Sequence, residues 1–214
     1  MSFTVITCEQ RSREWRAARA GRLTGSRAAL ILMKGRGGEA SKTREKYKYD
    51  LIGERINGEA SETFFASADM RRGITIEPLA FAMYEAQMGE VVRRTGFLAM
   101  NEHMAGCSLD GDIGGFSGII ELKCPMTASH AAYRANPGAL LHDYRAQVRH
   151  NLWVSGAAFC DLISFDDRMP KNKQLLRVRI ERYDAELPAY EEAAIKFLKE
   201  VDDHYQLIMD GAYS

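Results

Sequence analysis

The stretch Ser108-Leu109-Asp110-Gly111-Asp112-Ile113-Gly114-Gly115-Phe116-Ser117-Gly118-Ile119-Ile120-Glu121-Leu122-Lys123-Cys124-Pro125 holds more chemistry than any other part of the chain. Ile119 to Cys124 reads as a β-strand stopped by Pro125. Glu121 and Lys123 are two residues apart on it, so both face one side, while Leu122 faces the core. Gly114 to Gly118 is a turn, and Asp110 is placed on the strand before it. Two adjacent antiparallel strands then present Asp110, Glu121 and Lys123 within a few ångströms of one another. Two close carboxylates repel unless a cation is shared between them. Mg²⁺ suits such a pair, because it takes one or two carboxylates and fills its shell with phosphate oxygens and water. Such a site polarises a phosphate and generates a hydroxide, and two ions about 4 Å apart also stabilise the leaving oxygen. A lysine beside it orients or deprotonates the attacking water, or offsets developing charge. The bare Glu-x-Lys pair fits equally well an exposed ion pair near a turn aspartate with no function.

Outward from this stretch, helices precede the strands. Ser12 caps a helix to Ala20, with Trp15 packing inward and Gly21 ending it. Thr24-Gly25-Ser26 opens a second helix over 27–34, and Gly35-Arg36-Gly37-Gly38 is a loop. Ser41 caps a third helix, with Tyr47, Leu51, Ile52 and Ile56 at helical spacing and a stop at Asn57-Gly58. Pro78 suits the first turn of a helix to about Met88, with Leu79, Ala82, Met83 and Ala86 as its buried stripe. Glu90 to Met100 and Ala105 to Ile113 then alternate loosely, which predicts an antiparallel meander. Leu140 to Val154 is a helix with Tyr144, Val148 and Leu152 on one face. Strands follow over 158–165 and 175–180, and a long amphipathic helix runs from Leu187 to Met209.

With 214 residues, 46% of them hydrophobic, the chain is long enough for a sizeable core. No repeat or linker divides it, so residues 1–214 read as one domain. No apolar run approaches twenty residues, and the N-terminus lacks a secretory pattern, which argues for an intracellular, cytoplasmic protein. Cys8, Cys107, Cys124 and Cys160 are scattered, consistent with reduced thiols and inconsistent with a clustered metal or iron–sulfur site. The histidines form no HxH or HExxH pattern, and His150 reads as a packed residue. No phosphate loop or nucleophile elbow is present. The net charge is zero, yet residues 11–48 hold twelve basic against three acidic residues, and residues 181–214 three against nine. The basic third suits a polyanion and the acidic tail water or a partner, and both equally suit ordinary solvated helix faces.

Asp110 with Glu121-Leu122-Lys123 resembles the PD-(D/E)xK nuclease motif. The longer run Glu121-Leu122-Lys123-Cys124-Pro125 with Thr127 and Ser129 resembles the phage lambda exonuclease branch, also called YqaJ-like viral recombinases. Trp15, Arg19, Gly21 and Thr24-Gly25-Ser26 resemble its N-terminal signature. Gly73-Ile74-Thr75-Ile76-Glu77 resembles its G-x-x-x-E element, and Tyr144-Arg145-Ala146-Gln147-Val148 with Trp153-Val154 its Y-x-x-Q helix. The motif's leading Pro is Leu109 here, a residue that shapes the strand and is not a ligand.

The resemblance implies an α/β, restriction-endonuclease-like core, a central mixed β-sheet flanked by α-helices. It implies an alkaline-type, Mg²⁺-dependent 5′-to-3′ exonuclease that digests one strand of linear double-stranded DNA to mononucleotides and leaves a 3′ tail for recombination. It implies two Mg²⁺ ions, with Mn²⁺ able to substitute, a ring-shaped homotrimer, a single-strand annealing protein as partner, and a bacterial or phage-encoded origin without a membrane. Carried over by position, Asp110 and Glu121 are metal ligands with the Leu122 carbonyl, and Glu77 reaches the metal from a second element. Lys123 positions the water, and Gln147 supports the site. Arg19, Ser26 and Ser108 hold the 5′ phosphate, and Met70 falls where a strand-separating residue would stand. For Ser26 and Arg19 the chemistry agrees independently, since helix starts and guanidinium groups bind phosphate. A site-specific endonuclease with the same metal site and a non-catalytic DNA-end-binding module are the competing readings.

Overall fold

The computed structural model describes residues 2–61, 68–183 and 186–211, with only the backbone described for residues 68–70. Two sheets hold the strands. Strands β1 (Phe3–Ile6), β4 (Phe97–Met100), β5 (Ala105–Ser108) and β2 (Leu23–Thr24) form a four-stranded sheet in the order β1-β4-β5-β2. Strands β3 (Val92–Arg93), β6 (Gly111–Ile113), β7 (Gly118–Lys123), β8 (Phe159–Phe165) and β9 (Leu175–Glu181) form a five-stranded sheet in sequential order. The β7–β8 and β2–β5 pairs are parallel and the others antiparallel, so both sheets are mixed. A parallel pair needs a crossover. Helices α4 (Thr127–Ala135) and α5 (Pro137–Ser155) supply the one between β7 and β8. Helices α1 (Arg13–Arg19), α2 (Lys42–Asn57), α3 (Ala68–Met88) and α6 (Leu187–Met209) complete the α/β architecture. Among the described residues, no helix is long and apolar enough to cross a membrane.

Successive β7 residues feed different cores. Ile119 joins a cluster with Leu109, Val148, Leu152, Trp153 and Leu162, while Ile120 and Leu122 join one with Phe81, Tyr84, Ile163 and Phe165. Glu121 therefore shares the α5 side of the sheet with Ile119.

The local rules read in the sequence explain several elements. Ser12 accepts from the Trp15 N–H at 3.1 Å and Ser41 from the Arg44 N–H at 3.1 Å, capping α1 and α2. Gly58 closes α2 at φ +71°, the left-handed turn that glycine adopts without strain. Helix α6 has the expected bounds and buries Leu187, Tyr190, Ala194, Phe197, Leu198 and Val201.

Other elements differ from the sequence reading. The predicted meander is split: β5 belongs to one sheet and β6 to the other, and Asp110 stands in the break just before β6. The second helix is a 3₁₀ segment, Gly25–Leu32, entered from the short strand β2. Its buried residues Gly25, Ala28 and Ile31 recur every third position, which three residues per turn align on one face. Pro78 lies inside α3 and not at its start. Ile76, Ala80, Phe81 and Tyr84 form the buried stripe, while Leu79, Ala82 and Ala86 face outward. Two aromatic rings bury more area than the residues they displace. Helix α4 was not expected.

The charge imbalance is partly resolved inside the fold. Arg44 of α2 holds Glu200 of α6 through two hydrogen bonds of 2.8 and 3.1 Å, and Arg55 reaches Asp202 at 2.5 Å.

Candidate active site

β7 carries Glu121 and Lys123 to the floor of a cavity of about 430 Å³. Glu121 is buried, and three donors converge on its carboxylate. Lys123 Nζ reaches Oε1 at 2.5 Å, Gln147 Nε2 reaches Oε1 at 2.6 Å, and Asn151 Nδ2 reaches Oε2 at 2.8 Å. Lys123 also donates to Gln147 Oε1 at 3.1 Å and lies 4.7 Å from the Tyr144 ring centroid. Tyr144, Gln147 and Asn151 are three and four residues apart on α5, so one helix face supplies all of them. Asp110 accepts from the Leu122 N–H at 2.7 Å, which ties the sheet break to β7 beside Glu121.

Burial pushes the Asp110 carboxyl well above the usual carboxylate range, and the neighbouring Glu121 charge adds to the shift. Burial works against the Lys123 charge too, but Glu121 and Asp110 outweigh it and the amine is held above its ordinary value. His150 is buried, bonded to the Tyr190 hydroxyl at 2.8 Å and the Gly106 carbonyl at 3.0 Å. Burial lowers its pKa to about 4, so it is a neutral packing residue. Burial also pushes the Cys124 thiol up to about 12, so this cavity-lining group stays protonated.

The opposite wall comes from the N-terminal elements. The Gly21 turn after α1, at φ +67°, leads into β2 and the 3₁₀ segment. Arg19, 5% exposed, lies against the Trp15 ring at 4.2 Å and donates to Ser26 Oγ at 3.3 Å and Thr24 Oγ1 at 3.5 Å. The Trp15 indole donates to Ser108 Oγ at 2.7 Å. Arg19, Ser26 and Ser108 thus share the cavity with Asp110, Glu121, Leu122, Lys123 and Gln147, although they come from distant parts of the sequence.

α3 forms a third wall through Gly73, Ile74 and Glu77. Glu77 is ion-paired with Arg94, which also donates to the Asp110 carbonyl at 3.1 Å. Arg94 and Asn151 escaped the sequence reading. The spacing of four from Gln147 could have found Asn151; no local signal marks Arg94. The Met70 side chain lies outside the described residues, so a strand-separating role there has no geometry.

Asp110, Glu121 and the Leu122 carbonyl make a hard oxygen donor set of the kind Mg²⁺ and Mn²⁺ prefer. Among the described residues no group of three or more His, Cys, Asp or Glu gathers to hold a metal. Two side-chain carboxylates are nevertheless within the usual number for Mg²⁺, whose remaining positions go to carbonyl, water or phosphate oxygen. The residues fit the ion.

A sequence model of the YqaJ-like viral recombinase domain matches residues 14–158. The chain belongs to that family. The alkaline exonuclease LHK-Exo from Laribacter hongkongensis is 32% identical, over 94% of this chain and 98% of that one, at a TM-score of 0.79. The LHK-Exo complex with dAMP is 33% identical over the same shares, at 0.81. A phage-related exonuclease from Haemophilus somnus 129PT, 14% identical over 88% of this chain and 96% of that one, shares the fold at a TM-score of 0.70. No curated protein matches. Membership of the YqaJ-like family and the alkaline exonuclease neighbours support a nuclease function, on the restriction-endonuclease-like fold expected from the sequence.

Proposed function

We propose that this chain is a Mg²⁺-dependent 5′-to-3′ exonuclease that digests one strand from the ends of double-stranded DNA. One observation carries the reading. A floor of Asp110, Glu121 and Lys123 shares one cavity with a wall of Arg19, Ser26 and Ser108. The floor suits a cleavage centre, and the wall suits a terminal phosphate. The dAMP held by LHK-Exo is a mononucleotide, the kind of product that such digestion releases.

Asp110, Glu121 and the Leu122 carbonyl would hold the metal, with Glu77 reaching it from α3. When bound, the ion supplies Lewis-acid polarisation of the phosphate and a nucleophile at neutral pH. Lys123 stays an ammonium among Glu121, the Gln147 amide oxygen and the Tyr144 ring, all of which favour the cation. It therefore acts as a donor, orienting the attacking water and offsetting charge on the phosphate, and not as a base. Gln147 holds Lys123 and Glu121 together. Arg19, fixed against Trp15, and the hydroxyls of Ser26 and Ser108 bind the 5′ phosphate and set which bond reaches the floor. By family resemblance we assign a ring-shaped homotrimer and a single-strand annealing partner, which light scattering and co-purification test.

The test is digestion of linear duplex DNA with Mg²⁺. Mononucleotides from 5′-phosphorylated ends, an intact covalently closed circle and no product in EDTA are expected. Cut circles would favour an endonuclease, and end binding without any product a non-catalytic module. Arg19→Ala is expected to slow digestion of 5′-phosphorylated ends roughly 10- to 100-fold, the loss of a hydrogen bond to a charged group. It should barely change the slower digestion of 5′-hydroxyl ends.

A further inference from the structure

Asn151 is 1% exposed and sits where the two halves of the cavity meet. Lys123 and Gln147 both take the Oε1 oxygen of Glu121, and Asn151 Nδ2 donates to Oε2. Its own Oδ1 is buried with no hydrogen-bond partner among the described residues. Turning the amide over would set that oxygen against the carboxylate, so Glu121 fixes the orientation. Oδ1 then faces Gly25: a Cβ at Gly25 would stand 2.5 Å from it and 3.4 Å from Gln147 Cγ. The first distance is too short for any side chain. Gly25 therefore leaves room for an amide whose single satisfied contact is Glu121, and it does so one residue before Ser26.

We propose that Asn151 is a positioning residue that fixes the metal-facing orientation of the Glu121 carboxylate, and that Gly25 is the seat that admits it. The inference rests on the reading of Glu121 as a metal ligand. Through these contacts the Thr24-Gly25-Ser26 segment, which borders the phosphate wall, touches the acid of the cleavage floor. A shift of the segment would displace Asn151 and free one oxygen of Glu121.

The test combines calorimetric Mn²⁺ binding without DNA and digestion of linear duplex over a range of Mg²⁺, for wild type, Asn151→Ala, Gly25→Ala and the double variant. Asn151→Ala is expected to weaken Mn²⁺ binding roughly 10- to 100-fold, as removal of a partner that orients a metal ligand does. Digestion should return toward the wild-type rate at high Mg²⁺. Gly25→Ala should weaken Mn²⁺ binding to a similar degree. The double variant should be no worse than Asn151→Ala, because the clashing atom is gone. Unchanged Mn²⁺ affinity in Asn151→Ala, effects of the two substitutions that multiply, or a digestion defect that Mg²⁺ fails to rescue would each overturn the proposal. Should Asn151→Ala not fold, Asn151→Ser keeps a polar group in the cavity wall with a side chain one bond shorter, and the same outcomes apply. Wild type that binds Mn²⁺ but digests no DNA end would break the nuclease reading and leave this inference standing. Normal digestion with Mn²⁺ affinity unaltered by Asn151→Ala would break the inference alone.

Discussion

Glu121 on β7 and Asp161 on β8 are both buried acids on neighbouring strands, with Asp161 registered against Ile120. They point to opposite faces of the sheet, and their surroundings differ in sign. Asp161 receives Arg179 through bonds of 2.8 and 2.9 Å, Arg177 at 3.3 Å and the Tyr84 hydroxyl at 2.6 Å. Burial works against its charge, but the bonds from Arg179 and Tyr84 outweigh it and the carboxyl is held below its ordinary value. Two cations serve one acid there. On the other face, Asp110 and Glu121 share the single ammonium of Lys123, and Asp110 is pushed up. A buried acid with a surplus of positive partners is finished business for the fold. A pair of acids with one ammonium between them at a cavity floor is where the proposed metal ion would serve.

The difference predicts opposite consequences for conservative substitutions. The largest effect belongs to Asp110→Asn: DNA-end digestion should fall roughly a thousand-fold, while the metal-free melting temperature stays level or rises because a costly buried charge is gone. Thermal unfolding beside the digestion assay reads both, and a variant that digests normally would dissolve the contrast. Asp161→Asn should do the reverse, losing about 1.5–3 kcal/mol of stability in urea titrations with digestion per folded molecule unchanged. A loss of digestion out of proportion to unfolding would make Asp161 part of the site after all. Tyr84→Phe removes one donor and leaves both arginines, so its urea midpoint should report a cost of about 1 kcal/mol.

The smallest effect is in the pH dependence. Because the Asp161 pKa is lowered on folding, its contribution is present above the unfolded value of about 3.9 and is lost as pH falls through the folded value. The stability gap between wild type and Asp161→Asn, followed by urea titration at successive pH values, should hold from pH 7 to about 5 and narrow below about 4. A gap constant to acid pH would mean that the carboxylate charge is not what the arginines hold.

The sequence made one side of this comparison readable. Alternation along Ile119-Ile120-Glu121-Leu122-Lys123 fixed which side chains share a face, and the caps Ser12, Ser41 and Gly58 marked helix ends, because these are local rules. The Asp161 cluster was invisible, since the β8–β9 register sets Arg179 opposite Asp161 and packing brings Tyr84 from α3, and neither is a local pattern. The same is true of Arg94 on Glu77. The charge run of residues 11–48 looked available for a polyanion, but Arg44 within it is held by Glu200 of α6. The break at Asp110 escaped notice because loose alternation continues straight through it from one sheet to the other.

Pro78 has one more consequence. It has no N–H, so α3 lacks the rung that would join it to the carbonyl of Ile74, a residue of the cavity wall. Upstream of that gap, Arg72 is clamped to Asp166, Asp167 and the Pro125 carbonyl. The rod is spliced where it passes the cavity, and its near end is moored by a side chain to the turn after β8. Cutting that mooring should let the near end swing while the far end stays docked on the sheet.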